Sequence, residues 1–341
     1  MNYEEFLEYI KDNLEEVLQA VLDEKEEEET VEQGSCGAKN GGDNQRNEKF
    51  DICIHKITKN NGIVLDGLTI RKKGDAVSPN IYLNSYFENY QMGKPISVIM
   101  EEIAYRYQKL CEETELEVLD ITNFNTVKDK IILRLVNYEK NREALKSCPH
   151  KKYLDMAITF RYMVSKDSLG IASSLVTKAE FELWQVDLEE LYHLALFNTM
   201  REFPWKMESL VRVVTDSIRK QSGNALSEEV LQELEQMENG VSMYVLTNDY
   251  GINGATCILY DNVIHNFAKV QDCNVFILPS SIHEVMLVPE NTDTEPEFLE
   301  ELVVEANRSA VGLIDLLSDH IYYYDKESGK IYIYGAAHQI E

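Results

Sequence analysis

The sequence predicts an α+β protein: mixed sheets built from β-hairpins and strand–helix–strand units, with helices packed on them. Three observations predict it. Several long segments carry apolar residues every three or four positions, the period of a helix with one buried face. Short β-branched and aromatic runs meet at turn signals such as Lys59-Asn60-Asn61-Gly62. Over residues 241–341 runs of the two kinds alternate, which favours some parallel pairing beside the hairpins.

The first element is a helix. Phe6, Leu7, Ile10, Leu14, Val17, Leu18 and Val21 form one stripe, and it is expected to pack on the protein's own body. The next stretch, DEKEEEETVEQGSCGAKNGGDNQRNE, turns from acidic to Gly- and Asn-rich. It holds too few apolar residues to offset ordering entropy, so a flexible linker is expected. Cys36 in that stretch has nothing beside it to lower its pKa and reads as inert. DICIHKIT and GIVLDGLTIRK then form a hairpin. NIYLNSYFENY leads from a short strand into a helix. Pro95 opens a second helix, PISVIMEEIAYRYQKL, with Ile96, Ile99, Ile103 and Tyr107 inward.

A similar order follows. KIILRLVNY reads as a strand and YLDMAITFRYMVSKDSLGIASSLVT as two strands around Lys166-Asp167-Ser168. Asp187 caps the helix VDLEELYHLALFNTMREF, and MESLVRVVTDSIRKQ and SEEVLQELEQM add helices. In the last segment VSMYVLT, NVFILP and IHEVMLVP are strands, ATCILYDNVIHNFAKVQ and PEFLEELVVEANRSAV are helices, and HIYYYDKESGKIYIYG is a hairpin. The expected organisation is a helix at 1–24, an acidic linker at 25–48, α+β units at 49–145 and 146–240, and a C-terminal α/β unit at 241–341.

Taken together, NNGIVLDGLTIRKKGDAVSPNIYLNSYFENYQMGK, LYHLALFNT, PSSIHEVMLVP and LSDHIYYYD resemble a bacterial family, domain of unknown function 5688, from about Phe50 to Gly335. MYVLTNDYGINGATCILY is similar, more weakly, to domain of unknown function 1444. The resemblance implies a protein of gut Firmicutes, often carried in accessory or mobile genomic regions. It implies no activity and no catalytic residue. The stretch Lys25–Glu48 stands as an insertion of this chain.

Charge excludes several functions. Sixty acidic and 33 basic residues give a formal charge of −27. Such a surface repels phosphate backbones and anionic membranes, so neither nucleic acid nor membrane is an expected partner. It suits a basic protein partner. No apolar run reaches the roughly 20 residues of a membrane span. The six cysteines include no C-x-x-C pair, against the common zinc and thioredoxin-like readings. The acidic first segment is unlike a secretion signal. Free thiols in a reducing cytoplasm are expected.

Candidate chemistry is sparse. His283–Glu284 lacks the second histidine of H-E-x-x-H, because Leu287 stands there. On a strand the two side chains would point to opposite faces, so they could not share a metal. The loop Asn248–Gly254 follows a strand and opens a helix, where backbone N–H groups can receive an anion. It lacks the Lys-Ser/Thr of a P-loop, and a tight turn with Gly251 and Gly254 at special geometry is the plainer reading. Glu190 with His193 (and Glu189), and Asp261 with His265, read as solvated ion pairs on helices. Cys148-Pro149-His150 reads as a loop whose thiol Lys151 and Lys152 would mildly activate. Tyr322, Tyr324, Tyr332 and Tyr334 are expected on one face of the last hairpin, with Ile321, Tyr323, Ile331 and Ile333 on the other.

Two functions follow. The first is a non-enzymatic, cytoplasmic, acidic interaction or regulatory protein, in its sharpest form a mimic of nucleic acid that occupies a basic nuclease or DNA-binding protein. The second is an enzyme or small-ligand binder, with Asn248, Asp249, Gly251, Gly254, His283 and Glu284 around a pocket at the strand ends of the C-terminal unit. Neither requires a cofactor or a metal.

Overall fold

The first helix, α1 (Tyr3–Glu32), is longer than its apolar stripe requires. Phe6, Ile10, Leu14, Leu18 and Val21 are buried in it, and the backbone stays helical through the acidic run to Glu32. In the computed structural model, residues 1–32, 50–72, 80–113, 120–167, 170–222, 242–291 and 295–335 are described. The rest of the expected linker, Cys36 and the expected helix SEEVLQELEQM lie outside them. Glu and Lys are good helix formers, which is why Lys25–Glu32 continues the helix.

The chain divides into two compact units, Met1–Lys59 with Ile63–Glu117, and Asn60–Gly62 with Val118–Glu341. In the first, β1 (Phe50–Thr58), β2 (Val64–Lys72) and β3 (Asn80–Tyr82) form an antiparallel sheet in that order. The β1–β2 connection turns at Asn61 and Gly62, both at positive φ, as the sequence expects. Next come α2 (Asn84–Gln91) and α3 (Ile96–Glu113). Ile99, Ile103 and Tyr107 of α3 join the α1 stripe, Leu68, Ile70, Ile81 and Leu83 in one core. The α1 stripe is therefore satisfied in cis. Each such side chain contributes roughly 1.5–3 kcal/mol by leaving water.

The second unit begins with the short α4 (Phe124–Val127) and β4 (Ile131–Asn137). After α5 (Arg142–Leu145) come β5 (His150–Tyr153), β6 (Met156–Asp167) and β7 (Gly170–Leu175). β6 is the hub of this sheet: β4 lies on one side, while β5 and β7 share the other, each with its own half of β6. Thr177 closes a capping box on α6 (Lys178–Trp184), and Asp187 caps α7 (Leu188–Glu202) by accepting from the Glu189 N–H.

A larger sheet follows, built of β8 (Trp205–Ser209), β9 (Tyr244–Asn248), β10 (Val275–Leu278), β11 (Val285–Pro289), β12 (Tyr322–Asp325) and β13 (Lys330–Ile333), ordered β13-β12-β10-β11-β9-β8. Its helices are α8 (Leu210–Ser222), α9 (Val263–Gln271) and α10 (Pro296–Ser309). Both sheets contribute to a single core around Leu133, Phe160, Leu191, Leu246, Ile277 and Leu287. The expected boundary near residue 240 therefore runs through one packed unit.

Several expectations change. Among the described residues every strand pair is antiparallel. The sheets are not mixed, although the protein is α+β. The reason is an inserted strand. β9 and β10, joined through α9, run the same way, but β11 sits between them. β11 and β12, joined through α10, are likewise separated by β10. These are split strand–helix–strand units. The segment ATCILYDNVIHNFAKVQ is two pieces, a 3-10 helix at Gly254–Leu259 and α9, because Asn262 takes a left-handed φ of 63°. Trp205–Ser209 is an edge strand rather than the start of a helix. In the last hairpin the four-residue connection Lys326–Gly329 pairs even with odd positions: Tyr322 faces Ile333 and Tyr324 faces Ile331. Tyr322 and Tyr324 thus share the core face with isoleucines, and Tyr323 lies with Tyr332 on the other.

Candidate functional site

His283 and Glu284 precede the strand instead of lying on it, since β11 starts at Val285. Period-two alternation therefore does not place them. They form a bend that ends beside the loop after β9. His283 Nδ1 accepts from the Asn253 N–H at 3.3 Å, and its Nε2 lies 3.2 Å from Asp315 Oδ1. An acceptor at Nδ1 leaves the proton on Nε2, where it is donated to the carboxylate. Both ring nitrogens are engaged, so His283 has no lone pair facing outward for a metal or a substrate proton.

The loop Asn248–Gly254 is drawn onto this bend. Asn248 is buried; its Nδ2 donates to the Ile252 carbonyl at 2.8 Å and its Oδ1 accepts from the Tyr250 N–H at 3.0 Å. The N–H groups of Asp249, Gly251, Ala255 and Thr256 donate to the carbonyls of Pro204, Asn248, Ile282 and Asn253. Gly251 takes φ +64°. A Cβ at Gly254 would collide with the Thr247 hydroxyl and the His283 carbonyl. These N–H groups are spent inside the protein, which leaves a tight turn and not an anion cradle. The structure thus brings Asn248, Gly254 and His283 together as a knot. Asp249 is exposed at its edge. Glu284 is largely enclosed, and burial raises its pKa; Asp315 adds to the rise and His283 opposes it.

Sequence reasoning missed Asp315, the partner of His283, and a second knot on the β5–β6 turn. There Asp155 Oδ2 accepts from Ser318 Oγ at 2.6 Å and pairs with His320 Nδ1 at 2.9 Å, while Oδ1 accepts from Tyr322 at 2.5 Å. Serine, histidine and aspartate meet here, but the serine bonds the carboxylate and is fully buried, so no nucleophile is activated. Nothing local in LSDHIYYYD gives away a partner more than 160 residues earlier. Burial raises the pKa of three described thiols, Cys148, Cys257 and Cys273. Burial pushes Cys257 up to about 12 and raises Cys148, against the expected activation; the cations near Cys148, Lys178 and Arg161, only oppose that rise.

An open groove of about 370 Å³ lies elsewhere on the second unit. Its lining includes Tyr153, Tyr192, Asp261, His265, Tyr324 and Ile331. Asp261 and His265, expected to be a solvated pair, both face it, and His265 Nδ1 is 3.0 Å from the Tyr324 hydroxyl. Burial raises the Tyr192 pKa, and the charges of Asp261 and Glu189 raise it further. At the rim Lys151 Nζ stands 4.2 Å over the Tyr192 ring and 2.6 Å from Glu189 Oε2. The groove thus offers aromatic faces and one carboxylate, Asp261, chemistry that holds cations. Among the described residues no group of three or more His, Cys, Asp or Glu could hold a metal ion. None of the described helices is long and apolar enough to cross a membrane.

The model of a family of unknown function, DUF5688, matches residues 3–326. No curated protein and no solved structure matches the chain.

Proposed function

We propose that this chain, which belongs to the family of unknown function DUF5688, is a non-enzymatic acidic binding protein for a basic protein partner, and that the tyrosine groove seats one of that partner's cationic side chains. The observation that carries the reading is the groove with Lys151 at its rim. The protein already holds one ammonium between the Tyr192 face and the Glu189 carboxylate. An arginine or lysine from a partner would find the same chemistry at Tyr153, Tyr324 and Asp261. The formal charge of −27 supports it by drawing a basic partner in at long range. The engaged nitrogens of His283 and the buried Ser318 favour binding over catalysis. A cytoplasmic setting belongs to the reading, and the free thiols at Cys53, Cys148, Cys257 and Cys273 suit it. Mimicry of nucleic acid is its sharpest form.

The test is capture of partners from a native lysate at low and at high salt, repeated with Tyr192→Ala and Asp261→Asn. Basic proteins held at low salt, released at high salt, and bound about tenfold more weakly by each variant are the expected result. Non-basic partners, or capture that salt does not touch, would overturn it. The groove volume lies within the small-molecule range and favours a second reading, a small cationic ligand. That reading predicts saturable binding of arginine methyl ester with no protein captured.

A further inference from the structure

Two strands of the second unit carry an arginine where an apolar residue is the rule. β4 reads IILRLVN and β6 begins MAITFRYMV. The register sets Arg134 opposite Thr159 and Arg161 opposite Ile132. Opposed residues share a face, so both arginines stand on one face of the pair, diagonal to each other. It is not the face that Leu133, Leu135, Ile158 and Phe160 turn to the main core. A small apolar cluster of Val136, Leu145, Cys148 and Ala157 lies beside them.

Among the described residues neither guanidinium has a carboxylate in contact. Arg161 is held by neutral oxygens: Nε donates to Ser173 Oγ at 2.9 Å and Nη2 to the Ser173 carbonyl at 2.7 Å. Arg134 has less. Its Nε is fully buried and bonds to nothing, and among the described residues no side chain pairs with its fork. Asp315 is near enough to act through its charge, but its hydrogen bond goes to His283. Burial, with the like charge of Arg161, pushes the Arg134 pKa down to about 10. Both residues keep part of their surface open to solvent, so the face can be reached. A native fold rarely leaves an enclosed cation and an orphaned donor without compensation, and a bound ion is one remedy for both.

We propose that Arg134 and Arg161 form an anion site, in which the open fork of Arg134 takes two oxygens of a phosphate or carboxylate group. Five donors in a plane match such a pair of oxygens, and the remaining donor nitrogen of Arg161 lies on the same face. Two cations with no bonded carboxylate among the described residues favour a phosphate over a singly charged carboxylate. The site is separate from the tyrosine groove and does not depend on the partner reading.

The experiment is thermal unfolding of the full chain in inorganic phosphate, in acetate and in chloride at matched ionic strength. Wild type should gain about 5–10 °C in saturating phosphate over chloride. Arg134→Met keeps the apolar stem and removes the charge. It should melt at or above wild type in chloride, because an enclosed unpaired cation has gone, and should gain nothing from phosphate. Arg134→Lys keeps the charge without the fork and should lose most of the phosphate gain. A gain in acetate equal to that in phosphate, abolished in Arg134→Met, supports the site and assigns it to carboxylates. Equal melting in all three salts, or a phosphate gain that survives in Arg134→Met, overturns the proposal.

Discussion

At the scale of single residues, burial and local partners decide what each polar group can do. Glu284 is the clearest case. Burial raises its carboxyl pKa above the ordinary glutamate value, Asp315 adds to the rise, and His283 counters it. A carboxyl whose pKa is raised by folding holds its proton more tightly in the fold than out of it. Its contribution is fully favourable below the unfolded value, near about 4.3, and is lost as pH rises through the folded value. Glu284→Gln cannot ionise. It should melt above wild type at neutral pH, and the two curves should converge in acid. Melting temperatures followed from pH 7 downward check this; a gap that is the same at every pH would show that packing, and not titration, is responsible. His283 teaches the same lesson. Its place beside a glutamate suggested chemistry, but the Asn253 N–H and Asp315 occupy both nitrogens.

At the scale of elements, apolar period was the legible signal and partner choice was not. The α1 stripe, the α3 stripe, the Asp187 cap and the Asn61–Gly62 turn follow from neighbours in sequence. Helix and strand ends were harder. Asn262 breaks ATCILYDNVIHNFAKVQ by adopting a left-handed φ, and the His283–Glu284 bend shortens β11. The second break satisfies hydrogen bonds to distant chain, since His283 Nδ1 accepts from the Asn253 N–H and the His283 carbonyl accepts from the Thr247 hydroxyl. Gly254 makes the point testable. Its φ is ordinary, so its need for glycine arises from contact alone: the Thr247 hydroxyl, the His283 carbonyl and the Asn248 N–H fill the space of a Cβ. Two of those three atoms are backbone and cannot swing away. Gly254→Ala should therefore cost about 3 kcal/mol, read as a lower denaturant midpoint at unchanged slope. A loss of under about 0.5 kcal/mol, the size of an ordinary surface change, would mean the β9 turn and the β11 bend are not locked together.

At the scale of the whole molecule, tyrosines set the alkaline limit. Burial pushes Tyr153 up to about 12 and holds Tyr260 and Tyr322 well above the usual phenol range; Asp155, bonded to Tyr322, adds to its rise, and Cys257 adds to that of Tyr260. These phenols are neutral in the fold and would ionise more easily unfolded. The stability they protect is complete below about pH 10 and falls as pH rises toward their folded values. Denaturant midpoints should drop steeply above about pH 10, and phenolate absorbance in the native protein should reach its full amplitude only on unfolding. Native titration of every tyrosine near pH 10 would refute the burial argument.

The sequence by itself determined the class of fold, the stripe of α1, most strands and helices, and the net acidity. All of these depend on residues close in the chain or on sums over it. It also contained the two arginines inside apolar strands, a signal that composition alone does not interpret. Only the tertiary structure decided that the sheets are wholly antiparallel in the described residues, because strand order is set by which surfaces bury best and not by chain order. Only it decided that His283 is bound to the loop that follows Asn248, and that Tyr153, Tyr192, Asp261 and Tyr324 share a groove. Contacts across a hundred or more residues depend on packing in space, where sequence neighbours carry no information.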